Sequence, residues 1–246
     1  METSKVKMFK NLYKKDFREV RTEILVVAAV AIILISWAYF KTEGSARGII
    51  VLPMAFALGL AGFLPIITSF RLLGKEWSNN TIYMLMSLPV SGGMMLGSKL
   101  AVLLTEYLFG TLVVLLAGGI ALLTSFPEIW REVVSNPDNI KLIMAVYGLS
   151  ITGIVFIFCN SFLSQVTGKL FKKASGFISF VVFLGVFYIA GKFMPDTHVL
   201  LTQSELAISS SAQELGAILI KAVIDLVSAA LLFAGTVFIW ERRIEL

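Results

Sequence analysis

Residues 48–70 read Gly-Ile-Ile-Val-Leu-Pro-Met-Ala-Phe-Ala-Leu-Gly-Leu-Ala-Gly-Phe-Leu-Pro-Ile-Ile-Thr-Ser-Phe, without a single charged side chain. A hydrocarbon core about 30 Å thick is crossed by about 20 helical residues, so this stretch predicts a transmembrane helix rather than a buried element of a water-soluble core. Five further runs of the same kind lie outward from it, at about 24–40, 100–124, 142–163, 176–193 and 222–240. The fifth reaches Phe193 only if the ammonium of Lys192 snorkels to the interface. Composition agrees, since 57% of the 246 residues are hydrophobic and 15% charged, against about 25% charged in a soluble domain. The predicted fold class is an all-α membrane protein of six transmembrane helices in one transmembrane domain covering 1–246.

Net charge is +5, which raises the question of nucleic acid. The cations, however, sort by side. Fifteen of the 21 Lys and Arg fall on one side of the six runs, among them Lys5, Lys7, Lys10, Lys14, Lys15, Arg18 and Arg21, then Arg71, Lys75 and Lys99. The positive-inside rule then predicts both termini in the cytoplasm, and the basic balance reads as topology with no nucleic-acid partner. The charged leader 1–23 precedes a run of 17 residues, longer than a signal-peptide core, so an uncleaved anchor is expected. Within the leader, Phe9, Leu12, Tyr13, Phe17, Val20 and Ile24 recur at three- and four-residue steps with lysines between them. That spacing predicts an amphipathic cytoplasmic helix lying on the membrane surface.

Between the second and third runs, 71–99, Asn80 or Thr81 is suited to cap a short helix over 82–87, which Pro89 stops. Such a helix either tucks under the bundle or, through Tyr83, Met84 and Leu85, offers an adaptable surface to a soluble partner.

Glu76, Asn80-Thr81 with the apolar turn, Leu88-Pro89-Val90-Ser91 and Gly97-Ser98-Lys99 together resemble the Glu, Gly-Thr, Leu, Pro-hydroxyl and Gly-Lys signature of the permease subunits of ABC-2-type transporters. Asn80 stands where that family commonly has Gly, and Gly92 where it often has Arg. The resemblance covers the whole chain in topology and about 25 residues in motif. It implies an ABC-2, type II exporter-like permease fold, a coupling helix over 82–87 that docks on a nucleotide-binding ATPase subunit, and export as the direction. Glu76, Trp77, Thr81, Tyr83, Leu85 and Pro89 are the docking residues so assigned. It also implies a second permease copy or paralogue, short extracellular helices before the last span, and ATP with magnesium on the partner ATPase, at the bacterial plasma membrane. Among small members the chain looks most like exporters of membrane-active peptides; a lipid or drug exporter of the same family and an ion-coupled secondary carrier are the alternatives.

The residues offer no catalytic site. No Gly-x-x-x-x-Gly-Lys-Ser/Thr loop is present, so this chain is expected to be a transmembrane subunit rather than an enzyme, with no cofactor or metal of its own. His198 is the one histidine and Cys159 the one cysteine, which leaves no pair for nucleophilic or zinc chemistry. Ionisable groups inside spans are functional candidates. Glu106 reads either as a lining residue of a translocation path or as a carboxylate bonded to a neighbouring helix. Lys221 and Asp225, one turn apart, read either as a self-neutralising pair or as a cargo contact.

Overall fold

The computed structural model describes residues 5–41, 48–79, 90–128, 131, 135, 137–171, 174–193 and 211–243. These form six helices: α1 (Lys5–Lys41), α2 (Gly48–Ser78), α3 (Gly92–Ser125), α4 (Pro137–Lys169), α5 (Ser175–Phe193) and α6 (Ser211–Arg243). All six are long and apolar enough to cross a membrane. Each contains its predicted run, and most continue past it. Local chemistry marks several ends. Ser91 caps α3 by accepting a hydrogen bond from the Met94 backbone N–H, and Pro137 opens α4 where a missing N–H costs nothing. Pro53 and Pro65 lie inside α2, which stays helical through both because neighbouring helices supply packing.

The leader departs from expectation. It is not a separate surface helix but the first half of α1, a single helix of 37 residues, about 55 Å long at 1.5 Å per residue. The physical reason is twofold. No Gly or Pro breaks the chain from Lys5 to Lys41, and one buried stripe runs the full length as Leu12, Asp16, Val20, Ile24, Val27, Ala31, Ile35 and Ala38. Leu12 and Val20 therefore pack on protein rather than on lipid. The last helix begins at Ser211, so the residues just before the expected start of the last span at 222 extend that span. Residues 129, 130, 132–134 and 136, between the third and fourth runs, and 194–210 of the last outer loop lie outside the described residues.

Helices α1, α2 and α3 pack together, α4 pairs most extensively with α6, and α2 and α3 join the two groups through α4. The central core holds Val20, Ile24, Leu73, Leu96, Leu103, Phe158, Phe162 and Trp240. A second cluster fills the far half of the α1–α2–α3 group and is built on small side chains, Ala31, Ala57, Ala61 and Ala121. There Gly110 lets α3 approach α2 closely, because an added Cβ would stand 3.3 Å from that of Ala61. Of the adjacent pair Gly118 and Gly119, only Gly118 faces a neighbour, the Met54 side chain; Gly119 meets nothing within 4 Å.

Polar side chains stitch the helices where lipid offers no competing water. The Ser161 hydroxyl donates to Ser69 Oγ at 2.8 Å and Gln165 to the Ser69 carbonyl at 3.2 Å, joining α4 to α2. Asn160 donates to the Phe183 carbonyl at 3.1 Å and so holds α5. Beyond that hook α5 leans chiefly on α4, with Phe183 edge-on to Phe70 of α2, and turns Phe177, Phe180, Leu184 and Tyr188 outward.

Gly168 sits where the end of α4 meets the start of α5. A Cβ there would lie 2.5 Å from the Ser175 carbonyl oxygen and 3.0 Å from the Ser179 nitrogen, backbone atoms that cannot step aside as a side chain can. Gly168→Ala should therefore destabilise the bundle by about 1–3 kcal/mol, the range for overpacking. Gly119→Ala should be close to neutral. Melting of the purified variants in detergent compares the two directly, and an unshifted Gly168→Ala melt would contradict the close approach.

Candidate functional site

The basic end of the bundle, where the 71–99 segment leaves α2 and returns as α3, holds a cluster of buried charge. Lys99 is 1% exposed, the bulkiest side chain among those fully buried. Its ammonium lies 2.9 Å from Glu76 Oε1 and 3.3 Å from Asp16 Oδ2. Lys15 closes the arrangement, 2.8 Å from the same Glu76 oxygen and 3.9 Å from Asp16 Oδ1. Two cations thus face two anions drawn from three helices. Neutral balance is what burial demands, since an isolated ion in the interior costs several kcal/mol.

The cluster heads a ladder. On α1, Asp16, Glu19 and Glu23 follow at three- and four-residue steps on one face, and antiparallel α2 meets them in reverse order. Lys75 donates to Glu19 at 2.9 Å, and Arg71 pairs with Glu23. Burial pushes the Asp16 carboxyl above its ordinary value near 3.8, with Lys99 pulling the other way. For Lys15 partial burial acts downward, but the Glu76 carboxylate outweighs it and the ammonium is held above its usual value.

One step into the membrane, Glu106 of α3 is 2% exposed. The Thr68 hydroxyl oxygen lies 2.7 Å from Glu23 Oε2 and 3.3 Å from Glu106 Oε1; with one proton it donates to one carboxylate at a time. Thr68 thereby links Glu106 of α3 to α2.

The sequence-assigned docking residues divide. Glu76 is 6% exposed and its Oε1 faces both Lys99 and Lys15, so it ties the two flanks of the segment together. Trp77 is half-buried, edge-on to Trp240 at 5.7 Å, with Lys169 over its ring. Thr81, Tyr83, Leu85 and Pro89, with the expected helix 82–87, lie outside the described residues. At the other end, Lys221 and Asp225 do pair, at 3.4 Å. They line a cleft of about 260 Å³ with Gly153, Phe156, Phe187 and Gly191, so the pair is both self-neutralised and accessible from one side. Cys159 is buried beside Phe156 and Ala229, and His198 is outside the described residues. Among the described residues no cluster of His, Cys, Asp or Glu could hold a metal ion.

Sequence reading missed Asp16 and Lys15. A signal was present: Asp16 occupies a position of the Leu12–Val20–Ile24 stripe, where an acid is out of place unless a buried cation meets it. Nothing in the linear order said that the cation was Lys99, 83 residues away.

Six apolar helices with a polar, charge-locked mouth at one end define a multi-pass membrane protein of the transport type. The family model described as ABC-2 family transporter protein matches residues 11–234, and the chain belongs to that family, as a permease whose setting is the membrane and whose partner is an ATPase. No curated protein and no solved structure matches the chain.

Removing Lys99 alone leaves Asp16 and Glu76 buried against one remaining cation, so Lys99→Met should cost about 3–5 kcal/mol, the range for breaking a buried pair. Lys99→Met combined with Asp16→Asn and Glu76→Gln should regain much of the loss, as read by melting and by yield of monodisperse protein. Equal damage in single and triple variants would argue against a charge-balance role. The pH dependence follows from Asp16. A carboxyl whose folded value is raised favours folding below its unfolded value, and that contribution is lost as pH rises through the folded value. Asp16→Asn should flatten the fall in stability above pH 3.8, measured as the melting temperature against pH.

Proposed function

We propose that this chain is the permease subunit of an ATP-binding cassette exporter, working with a second permease copy or paralogue and with two cytoplasmic ATPase subunits at a bacterial plasma membrane, with both termini in the cytoplasm. The supporting observation is the family match across 11–234 together with the charge-locked flanks of the 71–99 segment. The chain has no phosphate-binding loop of its own, so it is a transport subunit rather than an enzyme, and ATP and magnesium belong to the partner ATPase.

Closure of the ATPase pair would push on residues 82–87. Their flanks, Glu76 at the end of α2 and Lys99 in the second turn of α3, are tied to each other and to Asp16 of α1. A displacement of the segment is therefore delivered to α1, α2 and α3 as one body, and the two permease halves alternate access at their interface. The outward aromatic face of α5 is suited to lipid or to that second permease.

For cargo we favour an amphipathic or hydrophobic molecule, in particular a membrane-active peptide. Among the described residues, the cleft lined by Lys221 and Asp225 is otherwise apolar. An ion or a sugar would find little there to replace its hydration.

Tyr83→Glu with Leu85→Glu should abolish co-purification of the ATPase while leaving membrane insertion intact. In proteoliposomes holding permease and ATPase, vanadate-sensitive ATP hydrolysis should rise with cargo peptide. Transport that follows a proton gradient and ignores ATP would instead identify a secondary carrier.

A further inference from the structure

The cleft at Lys221 and Asp225 has a charged rim and an apolar floor. Three helices each give it one turn: Gly153 to Ile157 from α4, Phe187 to Gly191 from α5, and Lys221 to Asp225 from α6. It is therefore about 5–6 Å deep along the bundle. Its volume of about 260 Å³ is below the roughly 300–1,000 Å³ that takes in a whole drug-sized molecule, so an occupant enters by one end only. The walls have room for that end: at Gly153 and at Gly191 an added Cβ would meet nothing within 4 Å.

Height in the membrane narrows what that end is. Trp240, edge-on to Trp77, marks the basic end of α6. Lys221 comes 19 residues earlier, about 28 Å away at helical rise, which is nearly the full thickness of a hydrocarbon core. Lys192, next to Gly191 at the end of α5, holds its ammonium 5.1 Å from the Tyr188 ring, the posture of a side chain reaching for the interface. The rim is thus level with the headgroups of the leaflet opposite the basic end. Phe156 and Phe187, edge-on at 5.9 Å, lie on the acyl side of it. Charge on the rim is only loosely spent. The Lys221 ammonium has three donors, and its partner among the described residues is Asp225 Oδ1 at 3.4 Å, well beyond the roughly 2.7–2.9 Å of a tight charge-assisted bond. An oxyanion can therefore approach Lys221, while Asp225, with its side chain 8% exposed, admits only a small cation that can donate hydrogen bonds.

We propose that this cleft binds a phospholipid whose headgroup ends in a primary ammonium, phosphatidylethanolamine being the simplest, drawn from the leaflet opposite the basic end. The lipid phosphate accepts from Lys221, the headgroup ammonium donates to Asp225, and the start of one acyl chain lies along Phe156 and Phe187. The quaternary nitrogen of phosphatidylcholine is bulkier and has no N–H to donate, so the same cleft discriminates against it. The inference goes beyond the transport reading above and needs neither cargo nor ATPase. An amphipathic cargo entering this cleft would first have to displace the lipid.

Native mass spectrometry of the full chain, purified in delipidating detergent and titrated with each lipid, reads the site. One phosphatidylethanolamine per chain should bind about tenfold more tightly than phosphatidylcholine, the worth of one hydrogen bond to a charged group. Gly191→Leu and Gly153→Leu put a side chain into open space, and each should lose the preferred lipid while melting as the wild type does. K221Q/D225N, which removes both charges together, should bind the two lipids alike, and it carries the test if the leucine variants melt early. Equal affinity of the wild type for the two lipids overturns the proposal. So does a leucine variant that keeps the preferred lipid, or a K221Q/D225N protein that keeps the preference. Glycerophosphoethanolamine, the headgroup without its chains, should not displace the lipid at matched concentration; displacement would assign the cleft to a soluble phosphate ester and overturn the lipid assignment.

Discussion

A lysine ammonium 1% exposed cannot stand alone, and the basic end of this protein is arranged around that constraint. Lys99 takes one carboxylate from α1 and one from α2, and the oxygen it shares with Lys15 keeps the charge balanced. Because the three contributors come from three helices, satisfying one ion fixes the relative height and rotation of all of them. The ladder from Asp16 to Glu23 extends that register toward the membrane, and the Thr68 hydroxyl carries it to Glu106. Buried ion pairs are weak sources of net stability but strong sources of register, since a slip of one turn leaves charge unpaired.

The same constraint explains why α1 is one long helix. In the bilayer its apolar stripe needs only small partners, and Ala31, Ala57, Ala61 and Gly110 supply close approach. Beyond the bilayer the stripe continues as Leu12, Asp16 and Val20, and pairing replaces lipid as the reason to stay straight. The column that results places α1, the end of α2 and the start of α3 in one charge-locked mouth. The opposite edge is built differently: α5 is held by Asn160, a run of edge-to-face phenylalanines and the tight Gly168 contact.

Much of this was legible in linear form. Six long apolar runs mean six spans because the bilayer's thickness sets a length and its dryness forbids unpaired backbone groups, and neither condition depends on which helix touches which. The surface helix expected for the leader failed for a specific reason. Leu12, Tyr13 and Val20 are spaced identically whether they face lipid or α2 and α3, and periodicity reports a face without naming what covers it. Glu76 likewise needed the packed neighbourhood: its place in a motif marked it, and the structure adds that its carboxylate turns inward to Lys99 and Lys15.

By itself the sequence determined the number of spans, the side on which the cations gather and membership of a permease family, because hydrophobic length, charge count and motif order are local properties of the chain. Only tertiary structure decided which acids are buried and which cations remain free. Asp16 and Lys99 are 83 residues apart, and the cost of an unpaired buried charge is a property of the packed neighbourhood, absent until α1, α2 and α3 have come together.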